Sequence, residues 1–243
     1  MKMDMTKDAL QYVVGLRKPE IIELGEDCYT DKEITRIPSA LRARALEMST
    51  LTSLVDYIKA NVDNMSKKML VHVVDPTTVH LISCLDEDRE RETLVKVSAE
   101  LPYFRYGEYM GHEEFIIAMQ AKFQANKDRD LLLKFAGTVE TGTVAQYGDD
   151  GVTQKATVKS GVASKTDAIV PNPVNLIPYR TFLEVEQPES AFIFRMRESE
   201  RGGVSCAIFE ADGGAWKYEA MHNIAAYIRE ELEEMKEQFT VIC

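Results

Sequence analysis

Apolar positions along this chain switch between a helical and a strand period, and the switches mark its elements. Leu51, Leu54, Val55, Ile58 and Val62 fall three or four residues apart behind Ser49 and Thr50. That spacing predicts an amphipathic helix running to about Val62, with a hydroxyl cap at its start. The run Met69-Leu70-Val71-His72-Val73-Val74, the turn signal Asp75-Pro76-Thr77 and the run Val79-His80-Leu81-Ile82 predict a β-hairpin, and residues 93–101 a third strand. The charged Asp86-Glu87-Asp88-Arg89-Glu90-Arg91 between them reads as a solvated loop.

Helical spacing returns after Gly111 with Phe115, Ile116, Met119 and Phe123, and Asn126 with Asp128 can cap a second helix carrying Leu131, Leu132, Phe135 and Val139. Beyond Gly148-Asp149-Asp150-Gly151 the pattern is that of strands, at 152–159, 181–185, 191–196 and 204–209, most simply joined as an antiparallel meander. Val170-Pro171-Asn172-Pro173 has the composition of a rigid connector. From about Lys217, the residues Met221, Ile224, Ala225, Ile228, Leu232 and Met235 line one helical face, opposite an acidic one. Upstream, Tyr12-Val13-Val14 and Ile21-Ile22-Glu23-Leu24, followed by Gly25-Glu26-Asp27, predict a small β unit, and 41–48 leans to strand. The expected class is α+β. It comprises an N-terminal helix and β-hairpin unit, a central helical pair, and a C-terminal antiparallel sheet closed by a terminal amphipathic helix. The division is at 1–147 and 148–243, or both in a single domain.

Composition adds that the 243 residues, 45% hydrophobic and 28% charged, can bury a core without staples. Cys28, Cys84, Cys206 and Cys243 are scattered and form no Cys-x-x-Cys pair, which fits a reducing cytoplasm better than a disulfide framework or a zinc knuckle. No apolar run reaches the ~20 residues of a membrane span, and the N-terminus lacks a signal-peptide pattern, so neither membrane nor export is expected. A net charge of −11 opposes attachment to nucleic acid through phosphates. Local basic pairs at Arg42 and Arg44, Lys155 and Lys159, and Arg195 and Arg197 read first as solvated sheet faces.

Chemistry is sparse. His72 and His80 would face each other across the hairpin, but no third or fourth metal ligand lies nearby in sequence, so they read as structural. Gly111-His112-Glu113-Glu114 is a fragment of a zincin motif without its second histidine, and reads better as a helix start with two carboxylates at the positive dipole end. The glycine pairs at 202 and 213 are too short for a phosphate loop, and no activated serine or cysteine context occurs. Glu184 and Glu186 would share a strand face and, with Glu189, resemble a divalent-metal pair, but the acidic-x-Lys strand of a nuclease is missing. No cofactor and no metal is expected. Leu101-Pro102-Tyr103-Phe104-Arg105-Tyr106-Gly107-Glu108-Tyr109 interleaves arginine with aromatics, as base-stacking surfaces do, and equally as a loop anchored in a core does.

The helix start Ser49-Thr50-Leu51-Thr52, the loop 88–93, the pair Glu113-Glu114 before Phe115, the segment Asp128-Arg129-Asp130-Leu131-Leu132, and above all the segments 182–190 and 209–216 resemble a phage and prophage family typified by YfdQ. The resemblance covers roughly residues 45–235. It implies a viral origin and the cytoplasm of a bacterial host, and it implies no activity. The expected function is therefore that of a non-enzymatic phage accessory protein that binds a host or phage protein or assembles as a homo-oligomer. Its expected binding residues are Tyr103, Arg105, Arg180, Glu184, Glu186, Glu189, Arg195, Arg197, Asp212 and Trp216. Two alternatives stay open: single-strand binding in phage DNA metabolism through Tyr103, Arg105, Arg195 and Arg197, and capture of a nucleotide against host defence.

Overall fold

The computed structural model describes residues 6–15, 19–24, 27–30, 42–86, 89–147, 154–159, 165–169, 172–198 and 203–243. The turns expected at 25–26 and 148–151, the first half of the 170–173 connector, Gly202, part of the 86–91 loop, and the side chains of Lys155 and Lys159 lie outside them. The chain divides into two compact units, 1–42 and 43–243.

The first unit holds α1 (Lys7–Gly15) and the antiparallel strands β1 (Ile21–Leu24) and β2 (Asp27–Thr30). Tyr12, Val13 and Val14, expected in a strand, belong to α1 instead. Thr6 accepts the Ala9 amide through its hydroxyl (3.3 Å) and so caps a helix ahead of the apolar triplet.

The second unit runs through β3 (Leu46–Met48), α2 (Leu51–Ala60), β4 (Met69–Asp75), β5 (Thr78–Ser83), β6 (Thr93–Ser98), β7 (Met110–Gly111), α3 (His112–Lys122) and α4 (Lys127–Thr138). It continues with β8 (Val139–Tyr147), β9 (Gln154–Lys159), β10 (Lys165–Ile169), β11 (Val174–Leu176), β12 (Ser190–Glu198), β13 (Val204–Glu210), α5 (Trp216–Glu231) and β14 (Phe239–Ile242). The class is mixed α+β. Three sheets result, ordered β14-β4-β5-β6-β3, β11-β12-β13-β7 and β10-β9-β8, with β14 and β3 running parallel to their neighbours.

Local chemistry sets the boundaries. Thr50 sits in extended backbone and accepts the Ser53 amide, starting α2, while Asn61 turns left-handed at φ 45° and ends it before Val62. Asp75 accepts both the amide and the hydroxyl of Thr77, each at 2.7 Å, and so closes the β4–β5 turn around Pro76. Asn126 accepts the Arg129 amide (2.8 Å) and starts α4.

Two cores form. In one, α2 and α5 lay Leu54, Ile58, Ile224 and Ile228 on the alternate residues Val71, Val73, Leu81, Val95 and Val97 of the five-stranded sheet. The terminal helix reaches this sheet because β14, which follows it, pairs with β4. In the other core, α3 and α4 press Phe115, Met119, Leu132 and Phe135 onto Phe192, Phe194, Cys206 and Ile208 of the four-stranded sheet. Residues 181–185, expected as a strand, make a turn between the two cores. Thr181 donates its hydroxyl to the Pro76 carbonyl (2.5 Å), Phe182 is buried in the first core, and Ser190 opens β12 of the second sheet. Among the described residues no helix is long and apolar enough to cross a membrane.

Candidate functional site

The aromatic run between β6 and β7 is anchored by alternate residues. Phe104 packs edge-on against Phe123 (5.0 Å), and Tyr106 stacks on Phe192 (5.7 Å). Burial pushes the Tyr106 hydroxyl well above its ordinary range. Gly107 takes a φ of +77°, which a side chain would strain, and its amide is held by the Ile208 carbonyl (2.8 Å). With Phe104 and Tyr106 turned inward, Tyr103 and Arg105 point out, and Tyr103 is 75% exposed.

Facing them is one side of α3. Phe115 and Met119 are in the core, while Glu114, Ile117, Ala118 and Ala121, at helical spacing, line a groove of about 440 Å³ with Tyr103, Phe104, Arg105, Met110 and Lys122. Ile117 is 60% exposed, an apolar side chain on the wrong side of its helix for packing. Lys122 donates to the Tyr103 carbonyl (2.5 Å) and ties the two walls together. Arg105 meets Glu114 at 3.1 Å and Glu108 at 3.7 Å. Two carboxylates around one guanidinium offset its charge and weaken its attraction for a phosphate.

The other expected residues separate into different roles. Arg180 is 6% exposed and lies with its guanidinium 4.1 Å from the Trp216 ring, donating to Glu210 (2.8 Å) and to the Ser190 hydroxyl. Burial weakens its hold on the proton, and Tyr106, Glu210 and Asp212 offset this only in part. Asp212 accepts the amides of Gly214 (3.0 Å) and Trp216 (3.4 Å). Burial alone would raise its carboxyl, but these bonds, the Ser190 hydroxyl and Arg180 draw it below its ordinary value. Arg180, Asp212 and Trp216 thus form a polar knot that holds the start of α5 to the 180–190 turn.

Glu184 lies in the 181–185 turn and not on the strand face it was expected to share with Glu186. Its carboxylate accepts the Thr52 amide (3.3 Å) at the positive end of α2, while the Glu186 carbonyl takes the Asn223 side chain (3.1 Å) and Glu189 is exposed. Arg195 and Arg197 share a face of β12; Arg197 lies over the Tyr109 ring at 4.0 Å and Arg195 donates to the Phe194 carbonyl (3.3 Å). Cys206 is buried, which pushes its thiol up to about 12 and leaves it unreactive at neutral pH. Among the described residues, no three His, Cys, Asp or Glu side chains converge as a metal cluster.

His72 and His80 do stand opposite each other across the hairpin. Burial, Lys96 on β6 and His72 hold His80 below its ordinary 6.5. Just below pH 6.5 the unfolded chain therefore binds the proton that folded His80 refuses, and stability falls as pH falls through that value. The lowered Asp75 and Asp212 carboxyls add a second loss below their ordinary 3.8. A melting temperature that declines from pH 7.5 to 5.5, with a smaller decline in His80→Gln, is the expected outcome; a flat wild-type profile in that range would contradict it.

The sequence pattern did not single out Ile117 or Gln187. Ile117 could have been found as the apolar residue off the buried face of α3, whereas Gln187 carries no local signal. Comparisons of the chain with models of protein families, with curated proteins and with solved structures find no match.

Proposed function

We propose that the protein works by binding another protein through the groove between the 101–109 loop and α3, as an accessory protein encoded by a phage or prophage and acting in the cytoplasm of the bacterial host. The observation that carries this reading is the exposed pair Tyr103 and Ile117 over an apolar floor of Phe104, Met110 and Ala118. An aromatic anchor beside an aliphatic one, rimmed by Arg105, Glu114 and Lys122, has the make-up of a protein-interaction hot spot. The pairing of Arg105 with two carboxylates weighs against the single-strand alternative, because its charge is already spent within the chain.

Ile117 is mostly exposed and is not itself a buried core residue, so Ile117→Glu should leave the fold intact and weaken partner capture about tenfold or more, the cost of about 1.4 kcal/mol at one anchor. The test is affinity capture from infected cells with wild type and variant in parallel. A protein captured by the wild type and lost with Ile117→Glu supports the reading, provided the melting temperatures agree. Identical captures from the two would remove the groove from consideration.

A further inference from the structure

The N-terminal unit carries apolar side chains on short elements. None of its residues whose burial is described is buried, and Leu10, Val13, Val14, Ile21, Ile22 and Tyr29 are 45% to 66% exposed. They are ordered into faces rather than scattered. Leu10, Val13 and Val14 stand at helical spacing on one side of α1, and Ile22 lies opposite Tyr29 in the β1–β2 pair. A nine-residue helix and a hairpin of two four-residue strands are each marginal in water without a surface to pack on. An apolar surface of this kind marks a contact site.

Charge identifies what covers it. Residues 1–42 hold seven Lys and Arg against eight Asp and Glu, while the whole chain carries −11, so nearly all the negative charge lies on 43–243. Two copies meeting through their large units would repel, whereas their N-terminal units bring almost no net charge together. A basic partner would be drawn to the large unit rather than to this one. An apolar patch of low charge can meet its own copy across a two-fold axis without repulsion.

We infer that α1 and the β1–β2 hairpin form a self-association arm, in which the apolar faces of two copies cover each other. This contact is separate from the groove at Ile117, so an Ile117→Glu chain retains it, and the two readings fail independently. The test is the molar mass of the full chain by light scattering across a wide concentration range, beside the double variant Val14→Glu, Ile22→Glu. The wild type should reach twice the 27.5 kDa of one chain, and the variant should associate about tenfold more weakly or worse with an unchanged melting temperature. Amide hydrogen exchange in α1 and the hairpin of the wild type should slow as concentration rises, a readout that does not depend on how the variant folds. A wild type with the mass of a single chain throughout, a variant that associates equally well, or exchange that ignores concentration overturns the inference.

Discussion

Gln187→Ala is expected to cost about 3–5 kcal/mol of folding stability, an effect usually reserved for large apolar core residues. The side chain is 3% exposed, and both its ends are committed to backbone. Its oxygen accepts the amides of Arg180 (2.9 Å) and Thr181 (3.2 Å), and its nitrogen donates to the carbonyls of Thr181 (3.3 Å), Phe182 (2.8 Å) and Val185 (3.3 Å). One glutamine thus satisfies a turn that has no sheet ladder to satisfy it. Truncation strands two buried amides at about 1–3 kcal/mol each, before any loss of packing. Gln187→Glu should be no milder, because it keeps the acceptor, loses the donor and buries a charge facing three carbonyls. Urea unfolding followed by circular dichroism measures both, with exposed Glu189→Ala as a control expected within about 0.5 kcal/mol of wild type. A Gln187→Ala loss below about 1 kcal/mol would mean that water reaches those amides and that the turn is not a buried junction.

This turn also shows where sequence pattern stops carrying information. Elements fixed by their own neighbours were legible: α2 from Leu51, Leu54, Val55 and Ile58 behind a threonine cap, the β4–β5 hairpin from its alternation around Pro76, and the α3–α4 pair from Phe115, Met119, Leu132 and Phe135. Residues 181–185 carry a strand-like composition, yet a side chain further along, Gln187, outbids the ladder for their backbone groups. Strand β14 follows an acidic stretch, and its partner β4 lies at the other end of the unit, so nothing local announces it or tells α5 which sheet to cover. The α1 helix was misread because its apolar triplet suits a strand, and the cap at Thr6 that decides the matter is a single hydrogen bond.

The candidate site divides in the same way. Tyr103 and Arg105 stood out as an aromatic run with an arginine, and their outward direction follows from the burial of Phe104 and Tyr106 between them. The opposite wall at Ile117 comes from another element, and only the tertiary fold makes the two a groove. Arg180, Asp212 and Trp216, expected as binding residues, are brought together in a knot of one buried and two half-buried side chains by contacts that no local spacing encodes.

That knot gives the second large effect. Arg180→Met should lower stability by about 2 kcal/mol, less than the about 3–5 kcal/mol typical of breaking a buried ion pair, because two terms oppose the loss. Glu210 is 41% exposed, so water screens its attraction to Arg180 and takes over its solvation once the arginine is gone. Arg180 Nε is buried without a hydrogen bond, a cost that methionine removes. What remains is the lost bond to Ser190, the lost contact with the Trp216 ring at 4.1 Å, and packing that methionine only partly restores. Arg180→Lys should be as costly as Arg180→Met, since an ammonium lacks the planar fork that reaches both Glu210 and Ser190 from over the Trp216 ring. Trp216 is the single tryptophan of the chain, so its fluorescence reports this contact without interference and should change in both variants. A lysine variant of wild-type stability would reduce the knot to a charge near an aromatic ring. A loss of about 2 kcal/mol in both variants, with altered Trp216 emission, would establish the guanidinium fork over the Trp216 ring as what fastens α5 to the turn between the cores.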